Sequence, residues 1–279
     1  MTKKVFLLCS MFFLLSATTW AFGEEINRQY LFAVVPQIPA PMIQHSWKPL
    51  LDEISQDTGY KFELKFFKSI PEFEQGFLEG KVDFAYMNPY HQVMAAKAQG
   101  YRPLIRDNSK KLVGLLVVRK DSPIQHIQDL NGKELAFPSP NALAASLYMR
   151  ALLIESEHIN FTANYVKTHS NVYRHVLLKK AAAGGGVNKT LKKEPKEFQD
   201  QLRILYTTPA IPSHPISVHP RVPESVARKV SAAIMKLAQD TQGRRILEKI
   251  AIAEPIPADY ERDYKPLALL GLEKYLGTD

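Results

Sequence analysis

The sequence has almost no cysteine, and this scarcity excludes several kinds of chemistry. Its single cysteine, Cys9, lies inside an apolar run over residues 5–15. No small residues lead up to Cys9, and apolar residues continue after it, which is not the pattern of a lipid-attachment site. If this run is removed during export, the remaining chain has no disulfide, no thiolate nucleophile and no thiolate metal site.

The first residues have the pattern of a secretion signal. Lys3 and Lys4 precede the apolar run, and Ala21 and Gly23 place small residues where a signal peptidase cleaves. We predict a signal peptide over residues 1–23, cleaved after Gly23 and therefore directing the protein to the periplasm; cleavage after Ala21 is the second choice. The alternative is a retained anchor helix, because residues 5–22 are just long enough to span a bilayer.

The charged residues do not point to a nucleic-acid partner. Cleavage leaves about 256 residues and lowers the formal charge from +8 to about +6, with basic residues scattered along the chain. There is no stripe of arginine and aromatic residues of the kind that binds nucleic acid. The charge is compatible with anionic partners, and a hydrophobic fraction of 46% is typical of an ordinary globular protein.

Motifs of known catalytic chemistry are missing as well. The sequence contains no Gly-x-Ser-x-Gly, no His-Glu-x-x-His, no phosphate loop and no dinucleotide fingerprint. His214 and His219 are five residues apart in a proline-rich segment, a spacing too loose to indicate a metal site. We therefore expect no metal, no cofactor and no enzymatic activity.

Extended and helical patterns alternate along the chain, which predicts an α/β fold with parallel sheets and helical crossovers. Residues 30–35 and 112–118 are apolar runs of the kind that form buried strands. Residues 43–56 show helical spacing of their apolar positions. Ser69 and Glu72 have the spacing of a capping box at the start of the next helix.

Two segments interrupt this alternation and divide the chain. Polar residues 119–123 and a proline-rich passage at 209–223 separate one α/β unit from another. We predict two lobes, the first formed by residues 24–118 and 220–279 and the second by 119–219, joined by hinge crossings near 119–123 and 209–219. A single continuous sheet in one domain is the alternative. A double connection of this kind allows two lobes to close over a ligand.

Three segments just beyond predicted strands are the candidate ligand contacts, since ligands of open α/β sheets bind at the carboxyl ends of strands. The first segment offers the polar groups of Tyr86, Asn88 and Tyr90. Asn88, however, is equally suited to cap the helix that begins at Pro89.

The second and third segments also lead into helices. Ser139, Asn141 and Ala142 precede a helix whose free amides would attract an anion, although Ser139 and Asn141 could simply be caps. His169 could donate to an oxyanion or be an ordinary loop histidine. Residues 181–188, rich in alanine and glycine, are interpreted as a buried strand and turn rather than a flexible linker.

Several of these segments together resemble the substrate-binding proteins of phosphate/phosphonate-type ABC importers, the phosphonate-binding (PhnD-like) family. The likeness covers nearly the whole exported chain. It is carried, in this order, by residues 82–90 (VDFAYMNPY), 129–133 (DLNGK) leading into 137–140 (FPSP), His169, and 207–212 (TTPAIP) with Pro215. The resemblance implies the two-lobed, type II-like periplasmic binding-protein fold, with two parallel or mixed sheets flanked by helices and a double-crossing hinge.

The resemblance also implies site residues and shows where this chain departs from the family. His169 matches the family's histidine, and Met87 falls where the relatives that bind aminophosphonates have a tyrosine. Ala142 begins an Ala-Leu-Ala run where those relatives have Ser-Thr-Ser. Asn188 and His214 replace the two acidic residues that hold a substrate amine. An ammonium ligand would lack its counter-charges, which argues against 2-aminoethylphosphonate as the ligand.

The resulting hypothesis is capture rather than catalysis. A monomeric periplasmic protein would bind a small anion such as phosphate, a phosphonate or phosphite between its lobes and present it to an ABC permease in the inner membrane. The alternatives are a sensing subunit for a membrane histidine kinase and, less favoured, a periplasmic enzyme.

Overall fold

The structure is a computed structural model that describes residues 28–277, so the signal peptide expected over residues 1–23 lies outside the described residues. The strands are β1 (Gln29–Val34), β2 (Lys61–Lys65), β3 (Phe84–Tyr86), β4 (Arg102–Asp107), β5 (Gly114–Arg119), β6 (Lys133–Phe137), β7 (Phe161–Tyr165), β8 (Ala183–Val187), β9 (Leu202–Thr207), β10 (Pro215–Val218) and β11 (Pro255–Pro257).

The helices alternate with these strands. They are α1 (Ala40–Thr58), α2 (Ile70–Leu78), α3 (Pro89–Gln99), α4 (Tyr148–Glu155), α5 (His169–Leu177), α6 (Asn188–Leu191), α7 (Lys196–Gln199), α8 (Glu224–Leu237), α9 (Thr241–Lys249) and α10 (Lys265–Ala268). A π-helical turn, Leu143–Leu147, leads directly into α4, and a 3-10 turn, Leu272–Tyr275, ends the described chain. Within residues 28–277 no helix combines the length and apolarity needed to cross a bilayer.

Local signals in the sequence explain where several helices begin and end. Helix α1 ends at Gly59, whose φ of 77° is left-handed and whose N–H donates to the Ser55 carbonyl. Ser69 Oγ accepts from the Glu72 amide at the start of α2. The Glu72 carboxylate reaches back to the Lys68 amide, one residue earlier than a standard capping box requires.

Two mixed sheets form the two lobes. The first has the strand order β11-β4-β10-β3-β1-β2, and the second β7-β6-β8-β5-β9. In the first, β1 pairs in parallel with β2 and β3, and β10 runs antiparallel between β3 and β4. In the second, β6 pairs in parallel with β7 and β8, and β5 is antiparallel to β8 and β9. The predicted architecture of two mixed sheets flanked by helices is confirmed.

The first crossing between the sheets lies earlier than predicted. The chain leaves the first sheet after Asp107 and enters the second at Gly114, so β5 belongs to the second lobe. The prediction that residues up to 118 form the first lobe, with a crossing near 119–123, was wrong. A strand buried on both faces has the same sequence pattern in either sheet, and residues 119–123 are only the turn after β5.

The second crossing occupies residues 208–214, since β10 already lies in the first sheet. The return to the first lobe therefore begins at Pro215, within the range 209–219 predicted for the crossing. The two connecting segments are hydrogen-bonded to each other. Leu112 and Ile211 exchange backbone bonds of 2.8 and 3.0 Å, and Thr208 N–H donates to the Gly114 carbonyl.

The end of the chain contacts both lobes, whereas residues 220–279 were all expected in the first. Arg150 on α4 donates to the Tyr275 carbonyl at 2.7 Å. The Asn141 side chain exchanges two hydrogen bonds of 3.1 Å with the Gly277 backbone. Leu272, by contrast, is buried in the hydrophobic core of the first lobe. The terminal segment thus forms a third link between the lobes.

The helix that begins at Leu143 lies directly on the second sheet, because two glycines leave room for it. A Cβ on Gly185 in β8 would lie 1.9 Å from the Ala145 carbonyl oxygen, and one on Gly114 in β5 would lie 2.0 Å from the Ala144 carbonyl oxygen. Both distances are far inside van der Waals contact. The small-residue segment at 181–188 is therefore a buried strand followed by a helical turn, as predicted, and its glycines permit close packing.

We expect Gly185→Ala to lower the free energy of unfolding by about 3 kcal/mol or to prevent folding, because the added methyl group collides with backbone. The control is Gly132→Ala, at a glycine with φ of 73° and no atom within 4 Å of the added Cβ. That change should cost only about 1 kcal/mol of left-handed strain. Urea unfolding monitored by circular dichroism measures both, and equal midpoints for the two variants would contradict the packing argument.

Candidate functional site

A small cavity, called here the inner cavity, lies between the two lobes. Its volume is about 10 Å³, room for roughly one water molecule. The first lobe contributes Gln37 and Asn88, and His214 and Leu112 come from the crossing segments. The second lobe contributes residues 142–145, His169 and Val187. The structure is therefore a closed form in which the lobes meet around this space.

Backbone amides at a helix start form one side of the inner cavity. Ser146 and Leu147 are the first residues of the turn whose N–H groups bond back to the Ala142 carbonyl, at 2.7 and 3.3 Å. The amides of residues 143–145 precede them and have no acceptor within the helix. Such amides, at the positive end of a helix that continues to Glu155, attract an anion without any charged side chain.

His169 adds a side-chain group to the same cavity. It is the first residue of α5, it is only 2% exposed, and its Nε2 is a buried atom without a hydrogen-bond partner. Its Nδ1 lies 3.4 Å from Thr190 Oγ1, which in turn lies 2.7 Å from the Tyr173 hydroxyl. Burial lowers the pKa of His169 to about 4, so the ring is neutral at pH 7. Its Nε2 is free to contact a ligand.

His214 lies on the first-lobe side of the inner cavity. Its Nε2 is 3.3 Å from Gln37 Nε2, a geometry in which the amide donates and the imidazole accepts. Its ring stacks on Tyr86 with centroids 5.3 Å apart. Burial first, and then the nearby Lys189 and the other histidines, hold the pKa of His214 well below its ordinary value.

A second space, the outer cavity, adjoins the inner one. Its volume is about 40 Å³, and Gln37 lines both cavities. Its lining residues are Val34, Val35, Gln37, Ile38, Ile43, Ser46, Trp47, Tyr86, Lys189, Thr190, Lys193, Lys249 and Ile250. Lys189 Nζ lies 5.8 Å from the centre of the Tyr86 ring. Burial, assisted by the positive charge of Lys193, lowers the pKa of Lys189 to about 7.

The structure brings half of the predicted site residues to these cavities. Asn88, Ala142, His169 and His214 line the inner cavity, and Tyr86 lines the outer one. The other five lie elsewhere: Met87 is fully buried in the core of the first lobe, Tyr90, Ser139 and Asn141 are buried outside either cavity lining, and Asn188 is exposed. Neighbouring side chains at one strand end point in different directions, so only some of the predicted residues reach a cavity.

Asn88 and Asn141 hold the closed lobes together. Asn88 Oδ1 caps α3 by accepting from the His91 amide at 2.7 Å, as predicted, and its Nδ2 donates to the Asn141 carbonyl across the cleft at 3.2 Å. The Asn141 side chain donates to the Glu74 carboxylate at 2.8 Å, and His91 Nε2 lies 2.9 Å from the same carboxylate. Asn141 is therefore a contact between the lobes and does not line the cavity.

Gln37 and Lys189 are among the cavity residues that the sequence analysis missed. Gln37 follows the carboxyl end of β1, so the strand-end rule that selected Tyr86 and Asn88 could have found it. Lys189 directly follows Asn188, which was named. No sequence signal indicates which of these two adjacent side chains enters the cleft, because this depends on how the short helix α6 is oriented.

Comparisons with known proteins identify the family of this chain. Residues 32–264 match the family described as the ABC transporter, phosphonate, periplasmic substrate-binding protein. The phosphonates-binding periplasmic protein of Escherichia coli K12 is 24% identical over 280 residues, covering 95% of this chain and 82% of that protein. The phosphate-import protein PhnD of Mycolicibacterium smegmatis is 28% identical over 148 residues, covering 50% of this chain and 44% of the other.

A solved structure supports the fold independently. The chain of PhnD1 from Prochlorococcus marinus, in complex with methylphosphonate, superposes with a TM-score of 0.78 at 16% identity, covering 88% of this chain and 98% of that chain. The fold and its interlobe cleft define a two-lobed periplasmic binding protein of type II. More particularly, the chain belongs to the family of periplasmic substrate-binding proteins of phosphonate ABC transporters. These matches do not favour the alternative of a kinase-linked sensor.

The low pKa of His169 predicts a pH-dependent stability. Between pH 6.5 and about 4 the unfolded chain takes up a proton on this histidine that the folded protein excludes. The contribution of the neutral His169 to the free energy of unfolding is therefore complete above pH 6.5. It is lost as the pH falls towards 4, by about 3 kcal/mol in total. Urea unfolding at pH 7, 5.5 and 4 should therefore show a weaker pH dependence for His169→Gln than for the native protein.

The control for this measurement is His45→Gln, at an exposed position of α1. This variant should lose stability with falling pH as the native protein does. If the stability of His169→Gln fell with pH as steeply as that of the control, the assignment of His169 as a buried neutral imidazole would be contradicted.

Proposed function

We propose that this protein captures a small phosphoryl anion, a phosphonate, phosphate or phosphite, in the inner cavity and delivers it to an ABC permease. The observation that carries the proposal is the unpartnered Nε2 of His169, buried beside the free amides of residues 143–145. These groups suit an oxyanion because N–H donors at a helix start form short, charge-assisted hydrogen bonds with it.

The charges around the site support an anion over a cation. Among the described residues that line the two cavities there is no aspartate or glutamate. A buried ammonium group would have no counter-charge and would remain unpaired, which is costly. The site therefore disfavours 2-aminoethylphosphonate.

Ligand entry requires the lobes to separate, since the inner cavity has room for only about one water molecule. The crossing segments around Leu112 and Ile211 are short, paired and placed between the sheets, which suits a hinge. Opening would break the Asn88–Asn141 and Asn141–Glu74 bonds. A phosphoryl group has several heavy atoms and is larger than this space, so the ligand-bound form holds the lobes further apart than this structure does. A ligand that contacts both lobes shifts the equilibrium towards that partly closed form, because only there do both lobes reach it.

The remaining parts of the proposal follow from this role. The protein acts as a monomer in the periplasm, after removal of its signal peptide, and its closed form docks on the permease. It performs no chemistry on the ligand; in support, the described residues that line the inner cavity include no serine, threonine, cysteine or lysine that could act as a nucleophile.

We expect methylphosphonate, phosphate or phosphite to bind the purified protein and raise its melting temperature. His169→Ala should weaken binding about 10- to 100-fold, the range for loss of one hydrogen bond to a charged group. Isothermal titration calorimetry gives the dissociation constants, and phosphorus NMR of the recovered ligand tests for turnover.

The matched control is His45→Ala, which removes an exposed imidazole on α1 and should bind as the native protein does. If His169→Ala bound the ligand with native affinity, His169 would not be part of the binding site. Release of a new phosphorus species would show that the protein is an enzyme and would contradict the proposal of capture.

A further inference from the structure

The inner and outer cavities are neighbouring compartments of one cleft. Gln37 lines both of them, and its amide contacts His214 on the inner side. Tyr86 lines the outer cavity and stacks on the same histidine at 5.3 Å. A ligand of a few atoms held in the inner cavity therefore has the outer cavity directly beyond the Gln37–His214 pair.

The outer cavity is lined by three lysines and by apolar side chains. Lys189 and Lys193 come from the second lobe and Lys249 from helix α9, and no acidic residue among the described lining residues balances them. Apolar side chains, among them Trp47 and Ile43, complete the lining. Such a space suits a group that carries negative charge at the end of a short carbon link.

Lys189 is the lysine of the outer cavity that most clearly lacks a counter-charge. Its Nζ approaches the Tyr86 ring and, within residues 28–277, forms no ion pair with a carboxylate. Asp107 acts on it only as a more distant charge, and Lys110 and Lys193 oppose its protonation. Lys189 is half-buried, and a partly desolvated ammonium without a counter-charge is disfavoured in the empty protein; an anionic group of a ligand would offset that cost.

We propose that the ligand is a bifunctional anion, with a phosphoryl group in the inner cavity and a second anionic group, a carboxylate or another phosphoryl, in the outer cavity beside Lys189. This inference rests on the proposed function and narrows its substrate class. The link between the two groups is short, because a single residue, Gln37, separates the cavities. Lys189 is the specificity-determining residue, since it recognises the second group and not the phosphoryl head.

The test compares three ligands that share one head group. Methylphosphonate has no second charge, phosphonoacetate has a carboxylate, and 2-aminoethylphosphonate has an ammonium group. Calorimetry with the purified full chain at pH 7 should give phosphonoacetate an affinity at least tenfold above that of either of the others. High salt should reduce this preference, because the added interaction is between charges.

Three variants identify the source of the preference. Lys189→Met keeps the side-chain length without the charge and should lower the ratio of phosphonoacetate to methylphosphonate affinity at least tenfold. Lys189→Arg should retain most of that ratio. Lys192→Met, at an exposed lysine three positions along the chain that lines neither cavity, should have the native ratio.

The outcomes separate this inference from the proposed function. If methylphosphonate or phosphate binds but phosphonoacetate is no tighter, or if the ratio survives in Lys189→Met, the bifunctional ligand is refuted and phosphoryl capture stands. If free acetate together with methylphosphonate reproduces the effect, the outer cavity binds a separate ion and the single-molecule claim fails. If no phosphoryl compound binds at all, both proposals fail.

Discussion

The contact between the helix that begins at Leu143 and the glycines of strands β5 and β8 is the constraint on which the rest of the site depends. With Gly114 and Gly185 beneath it, the helix start lies against the backbone of the second sheet. Its free amides are thereby brought to the same cavity as His169 and Val187. A helix held away by side chains would present the same amides at a distance from the histidine, and the two kinds of donor would not converge.

The electrostatics of the cleft follow from burial more than from formal charge. His169 and His214 are neutral at pH 7 because burial disfavours their charged forms, and Lys189 has a pKa near neutrality for the same reason. The helix amides contribute only partial positive charge. The empty inner cavity thus carries little net charge, whereas an entering anion would favour protonation of both histidines and of Lys189.

Apart from Asn88, which lines the inner cavity and also bonds across the cleft, the residues that join the lobes differ from those that face a ligand. Asn141 and Glu74 join the lobes directly, and Asn141 also bonds to Gly277 in the terminal segment. Arg150 adds a second bond from the second lobe to that segment. These polar contacts are buried and fully within the protein, so they stabilise the closed geometry without competing for the ligand. The cavity groups, by contrast, include atoms that the protein itself leaves unpaired, such as His169 Nε2.

Much of the fold could be predicted because the relevant signals are local. Apolar runs identified β1 and β5, cap residues identified the starts of α2 and α3, and the glycine-rich segment was assigned to a buried strand. Three strands were not predicted. β4 and β10 lie in segments interrupted by proline or charge, and β11 has only three residues. Their pairing partners, rather than their own patterns, make them strands.

The sequence by itself determined the α/β architecture of alternating strands and helices, since this depends on patterns within a few residues of each other. Only the tertiary structure decided which sheet contains β5, which of Asn188 and Lys189 enters the cleft, and that Gln37 meets His214 there. The physical reason is that periodicity records that a face is buried. It does not record what that face is buried against.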